Sequence, residues 1–149
     1  MDSNLRIIGR HVTVDFPQWN YTGLEAKVDT GAYSSSLHCH RVEAIQKGDG
    51  QEDWVRLWLL DPSCENYRSE PIEVPVRRRK TVRSSNGVSE ERIFIHAAVR
   101  LFGSEISADF SLADRTGMKY AVLLGRKVLK GRFLVDVSRT GSAPLTESD

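Results

Sequence analysis

The chain has 149 residues, 40% hydrophobic and 28% charged, with 21 Lys and Arg against 20 Asp and Glu for a formal net charge of +1. That balance excludes a disordered polyelectrolyte and gives no general reason to expect a nucleic-acid or membrane partner, so electrostatic preference has to come from local patches. Two cysteines, Cys39 and Cys64, make no disulfide framework; Met1–Arg6 has no signal-peptide core, and no segment reaches the roughly 20 apolar residues of a membrane span, so a cytoplasmic location is expected.

Period-two alternation runs through most of the chain, and no long amphipathic helix is found. Val12, Val14 and Phe16 predict a first strand. Leu24, Ala26 and Val28 predict a second, which runs directly into Asp29-Thr30-Gly31. Lys47-Gly48-Asp49-Gly50 is a polar loop before a strand over Trp54–Leu60, in which Val55, Leu57 and Leu59 share a face. Ile72, Val74 and Val76 follow. Ser84-Ser85-Asn86-Gly87 supplies turn chemistry between arms at Val76–Arg83 and Val88–Ile95. Phe102-Gly103-Ser104 divides Arg92–Leu101 from Glu105–Leu112, where Ile106, Ala108, Phe110 and Leu112 alternate. Arg126–Lys130 is long enough for one or two helical turns. Phe133–Val137 predicts the last strand, and Ser138–Asp149 a frayed polar tail. Many short strands with turn signals and no internal repeat predict one all-β domain, a barrel or sandwich.

The stretch that carries chemistry is Ala26-Lys27-Val28-Asp29-Thr30-Gly31-Ala32. A strand delivers a carboxylate to a turn, Gly31 lets the backbone turn and approach closely, and the Thr30 hydroxyl and neighbouring amides are placed to orient the acid. Asp-Thr-Gly by itself is also an ordinary strand ending. Downstream, Ala121-Val122-Leu123-Leu124-Gly125-Arg126 puts an apolar run, a glycine and an arginine ahead of the short helix.

In this order of elements the chain resembles the retropepsins, the small aspartic proteases of retroviral type, over roughly Ile8 to Val137. Val28–Ala32 matches the family's catalytic strand and loop, and Leu123–Arg126 its later apolar-apolar-Gly-Arg segment. The hairpin around Ser84–Gly87 takes the place of the flap, and Ile93–Leu112 that of the strand pair between flap and Gly-Arg. A nearer resemblance is to the bacterial family labelled ATP-dependent zinc proteases, at Lys27–Ala32, Leu37-His38, Val82–Gly87, Leu112–Arg115 and Leu123–Arg126. Some of its members are associated with enzymes that add glutamates to a ribosomal protein, which implies trimming or processing of such tails.

The resemblance implies a small closed β-barrel over residues 1–137 with a flap hairpin and one short helix, followed by a flexible tail over 138–149. It implies an aspartic-type peptidase with Asp29, Thr30 and Gly31 as the catalytic triplet. Ala32, Arg83, Ser84, Ser85, Asn86 and Gly87 would face substrate, and Leu124, Gly125 and Arg126 would support the catalytic loop. Paired carboxylates share one proton, one acting as base toward water while the other polarises the scissile carbonyl. One Asp-Thr-Gly per chain then requires a homodimer that pairs two copies of Asp29. Within a single chain, Asp114 is the acid to consider as a substitute.

Other features receive plainer readings. Arg77-Arg78-Arg79-Lys80 and Arg83 either protect a solvated hairpin edge or attract an acidic peptide. His38 and His40 share one strand face with Cys39 on the other, giving two ligands where zinc needs three or four. With no His-Glu-x-x-His and no Gly-x-x-x-x-Gly-Lys-Ser/Thr, no cofactor is expected and zinc rests on the family label alone. Ser34-Ser35-Ser36 and Ser84-Ser85 lack a Gly-x-Ser-x-Gly elbow and read as turn and strand-start residues. The alternatives to a peptidase acting on acidic peptides are a non-catalytic peptide-binding module on the same barrel and a zinc-dependent hydrolase.

Overall fold

The structure is a computed structural model that describes residues 5–47, 52–83, 86–114 and 116–139. Gly48–Gly50 of the predicted polar loop, the predicted turn residues Ser84 and Ser85, Arg115, and positions 140–149 of the predicted tail lie outside the described residues. The chain is all-β: the described residues form eleven strands, one four-residue helix and one 3-10 turn. They divide into two compact units, Met1–Ser36 with Ala97–Ala108 and Lys119–Asp149, and Leu37–His96 with Asp109–Met118.

In the first unit, β1 (Arg6–Ile8) lies parallel to β11 (Phe133–Val135), with Arg6 opposite Phe133 and Ile8 opposite Val135. β2 (His11–Phe16) passes through a 3-10 turn at Pro17–Trp19 into the antiparallel β3 (Tyr21–Val28), so that Val12 meets Ala26 and Val14 meets Leu24. The register slips once between Val14 and Phe16. There the Asp15 carboxylate accepts the Gly23 amide at 2.9 Å and Gly23 takes a φ of +72°. This bulge resets the alternation, which is why Tyr21 and Leu24, three apart, are both buried. β10 (Val122–Leu124) runs parallel to β3 with Leu124 opposite Val28. That register sets the residues after β10 beside the residues after β3. The helix α1 (Arg126–Leu129) follows, burying Val128 and Leu129.

β8 (Ser89–Leu101) and β9 (Ser104–Ala113) are neighbouring strands whose sequences pass through both units. They are joined by Phe102 and Gly103, both at positive φ (55° and 80°), the backbone that suits a two-residue hairpin.

In the second unit, β5 (Glu52–Leu59) sits between β4 (Ser35–Lys47) and β6 (Ile72–Pro75), with Val55 opposite Ala44 on one side and Val74 on the other. β7 (Arg78–Arg83) is antiparallel to the first half of β8, from Arg83–Ser89 to Arg78–Phe94. The two arms of the predicted hairpin are therefore present. Gly87 at its tip has a φ of +86°, and the Val88 amide donates to Asn86 Oδ1 at 3.2 Å.

The ends of several elements differ from expectation for local reasons. The Ile72 strand stops at Pro75, after which the Val76 amide donates to the Asp53 carbonyl at 2.9 Å. The last strand stops at Val135, and Asp136 then caps the chain by accepting from the Ser138 amide and hydroxyl and from Arg139 Nε. The Arg139 carbonyl in turn takes the Arg10 amide at 3.1 Å, so the first two residues of the predicted tail are held in place. Among the described residues no helix is long and apolar enough to cross a membrane.

Candidate active site

Asp29 follows immediately on β3, and its environment is built from three short segments of the first unit. Its amide donates to the Leu124 carbonyl at 2.9 Å, which continues the β3–β10 ladder one residue into the loop. Its own carbonyl accepts the Ala32 amide at 3.2 Å, closing a tight turn. The half-buried carboxylate accepts the Gly31 amide through Oδ1 at 3.0 Å. Backbone and side chain of the acid are thus both fixed, while Thr30 and Gly31 remain exposed beside it.

The brace comes from the segment after β10. The Gly125 amide donates to the buried Ser35 Oγ at 2.9 Å. The amides of Arg126 and Lys127 donate to the carbonyls of Ala32 and Tyr33 at 2.8 and 3.1 Å, so the start of α1 grips the loop that follows Asp29. Arg126 Nη1 donates to the Thr30 carbonyl at 3.0 Å. Leu124, Gly125 and Arg126 all touch the loop they were expected to support. The closest backbone approach falls at Gly125: a Cβ there would lie 2.6 Å from the Ser34 carbonyl oxygen and 2.9 Å from that of Ala32. At Gly31 a Cβ would meet only Asp29 Oδ1, at an ordinary 3.4 Å. Thr30 contributes its carbonyl to the brace, and the donor that orients Asp29 is the Gly31 amide. Ser35, read from sequence as a strand-start residue, is a working part of this brace.

Arg83, Asn86 and Gly87 belong to the hairpin of the second unit, so their assignment as flap residues stays where the order of elements put it. Three of the hairpin's arginines have acidic neighbours: Arg77 and Arg78 lie 3.6 and 4.0 Å from Asp109, and Arg79 lies 3.4 Å from Asp53 and 3.2 Å from Glu91.

The His38-Cys39-His40 run is also engaged internally. Buried His38 directs Nε2 to Asp61 Oδ2 at 2.6 Å and Nδ1 toward Asp114 Oδ1 at 3.9 Å. The hydroxyl and amide of Ser63, together with His38, hold the Asp61 carboxyl well below the usual carboxylate range. Asp114 accepts the Thr116 hydroxyl and amide, which lower its pKa. Burial pushes the Cys39 thiol up, and the Asp114 charge adds to this, opposing the thiolate that zinc would need. His40 Nε2 meets the Tyr67 hydroxyl at 3.0 Å. Among the described residues no three His, Cys, Asp or Glu side chains converge in a way that would hold a metal ion. These residues do not fit the zinc of the family label.

An all-β chain whose Asp-Thr-Gly loop is braced by an apolar-Gly-Arg segment is of the retropepsin-like class. The chain belongs to the RimB-like family, whose model, described as "Retropepsin-like aspartic endopeptidase RimB", matches residues 7–145. It is 33% identical over 140 residues to a Shewanella pealeana protein named "Probable alpha-L-glutamate ligase", covering 94% of this chain and 30% of the relative. A Desulfotalea psychrophila protein of the same name is 28% identical over 131 residues, covering 88% of this chain and 28% of the relative. The chain therefore spans about a third of the length of the curated relatives it matches. A crystal structure of a Legionella pneumophila protein of unknown function shares the fold, with a TM-score of 0.70 and 24% identity over 93% of this chain and 98% of the other.

Proposed function

We propose that this chain is a peptidase that hydrolyses peptide bonds with a water activated by Asp29, acting on acidic or glutamate-rich peptides. The observation that carries the reading is the braced loop: the acid is held by the Gly31 amide, by the Leu124 carbonyl through its own amide, and by the grip of α1 on Ala32 and Tyr33. Preorganisation of this kind keeps a carboxylate at a reaction centre without reorganisation during the step. The second carboxylate is supplied by Asp29 of another copy in a two-fold dimer, the pair sharing one proton. One Asp29 takes the proton of the attacking water, and the other, protonated, donates a hydrogen bond to the scissile carbonyl. The family's closed barrel belongs to the same proposal.

The substrate class draws support from the relatives. A segment like this chain occupies about a third of proteins named as α-L-glutamate ligases. A hydrolase joined to a ligase that makes glutamyl bonds would find its substrate in the product of that ligase. The same fusion also favours a second reading, in which the segment binds a glutamyl peptide without cutting it.

Asp29→Asn separates the two. Cleavage of a glutamate-rich peptide, followed by mass spectrometry, is expected to fall at least about 10²-fold while the thermal midpoint stays close to wild type. Undiminished cleavage in the variant would remove Asp29 from the chemistry. Peptide binding with no cleavage by the wild-type chain across the acid-to-neutral range would establish the binding module.

A further inference from the structure

Beside Asp29 the first unit opens a pocket of about 720 Å³, lined by Thr30, Tyr33, Arg126, Lys127, Leu129, Lys130, Phe133 and Val135. Its charge is one-sided. Among the described residues no carboxylate lies within ion-pair distance of Arg126, Lys127 or Lys130, in contrast to the acid-matched Arg77, Arg78 and Arg79 of the hairpin. Arg126 is committed to the Thr30 carbonyl. Lys127 and Lys130 are exposed, three residues apart on and just after α1, and both reach the pocket. Tyr33, 60% exposed, flanks the cations, with Lys127 Nζ 5.3 Å and Arg126 Cζ 5.7 Å from its ring centre. The floor is apolar: Leu129 is buried, and Phe133 and Val135 are half-buried.

We infer that Lys127 and Lys130 form a subsite for an acidic side chain of a peptide, and so determine specificity for the peptidase reading on which this rests. A glutamate suits the pocket in both its parts. Its methylenes can lie against Leu129 and Phe133, while its carboxylate meets two ammonium groups that no acid among the described residues neutralises. A glutamine has the same stem without the charge, so the pair of lysines discriminates between them. Position supports the assignment, because Thr30 lines the pocket and adjoins Asp29, and the Lys127 amide is bonded to the Tyr33 carbonyl of the same loop. A side chain seated here lies against the residue that follows Asp29 in the chain.

The test is fluorescence anisotropy at low salt with labelled oligoglutamate, oligoglutamine and oligolysine peptides, on wild-type protein, on Asp29→Asn, and on the double charge reversal K127E/K130E. Both lysines are exposed, so the reversal is expected to fold, which circular dichroism checks. Wild type and Asp29→Asn should bind oligoglutamate more tightly than oligoglutamine, with the preference fading as salt rises. The double variant should lose oligoglutamate affinity roughly tenfold or more and gain affinity for oligolysine. Equal binding of glutamate and glutamine peptides by wild type, or an unchanged oligoglutamate affinity in the variant, overturns the subsite. A change in the variant's solution mass also overturns it, by making the pocket a contact between copies. Charge-dependent binding with no cleavage by wild type would sink the peptidase reading and leave the subsite standing. Cleavage of the glutamate peptide with the same KM in the double variant would do the reverse.

Discussion

Gly125 shows how one residue sets the geometry of the candidate site. The place where its side chain would begin is occupied by the carbonyl groups of Ser34 and Ala32, the latter also receiving the Arg126 amide. Backbone atoms in a hydrogen-bonded loop cannot step aside as the tip of a long side chain can. Gly125→Ala is therefore expected to destabilise the chain by about 2–3 kcal/mol, the upper part of the range for overpacking a tight site. At this length that lowers the thermal midpoint by roughly 5–10 °C. Cleavage should fall as well, because the loop that moves is the one holding Asp29. An unchanged midpoint in differential scanning calorimetry would mean that the loop does not pack this closely. The same substitution at Gly31 meets only an ordinary contact with Asp29 Oδ1 and should cost less.

At the scale of elements, the pair His38–Asp61 joins the start of β4 to the residues just after β5. The register between these strands shifts at Cys39 to Arg41, and Leu60, at a φ of 70°, exchanges backbone hydrogen bonds with His38 and His40. A leucine in left-handed backbone costs about 1–2 kcal/mol, and the buried His38–Asp61 hydrogen bond beside it helps hold that conformation. Because the Asp61 pKa lies below its unfolded value near 3.9, its contribution is present above about pH 4 and is lost as pH falls further. Asp61→Asn should lower stability at neutral pH by about 2 kcal/mol and flatten the decline between about pH 5 and pH 3. Urea melts across that range measure both; parallel pH profiles for the two proteins would contradict the assignment.

This region also marks where the sequence was hard to read. β2, β3, β5 and β9 have one buried face, so Val12, Val14, Leu24, Ala26, Leu57 and Phe110 stand out by alternation. From Ser35 to Cys39, β4 is buried on both faces and carries two serines and a histidine, so it shows neither alternation nor a hydrophobic run. β1 and β10 have three residues each and take their form from parallel partners distant in sequence. Asp29, Gly125 and Arg126 stand out as candidates because their order along the chain resembles a known one. Ser35 and the lysines after Arg126 do not, because their surroundings depend on what the fold places opposite them.

For the whole molecule, the second carboxylate decides the mechanism. The peptidase reading calls for pairing across a two-fold axis, and light scattering over a concentration series should then give a mass near twice 16.8 kDa. A strict monomer at every concentration would leave Asp29 unpaired and favour the binding module. β1 already has a partner in β11 of its own chain, so in a dimer this pair is not free to exchange strands without first separating. That pairing has a mechanical side. The two strands are parallel, so the chain enters β1 at Arg6 and leaves β11 at Val135, at opposite ends of one short ladder. Tension between the two ends would load its hydrogen bonds together, in shear, instead of peeling them one at a time. Joined to a longer polypeptide, the domain would meet a pull on its flanks with a lengthwise clamp.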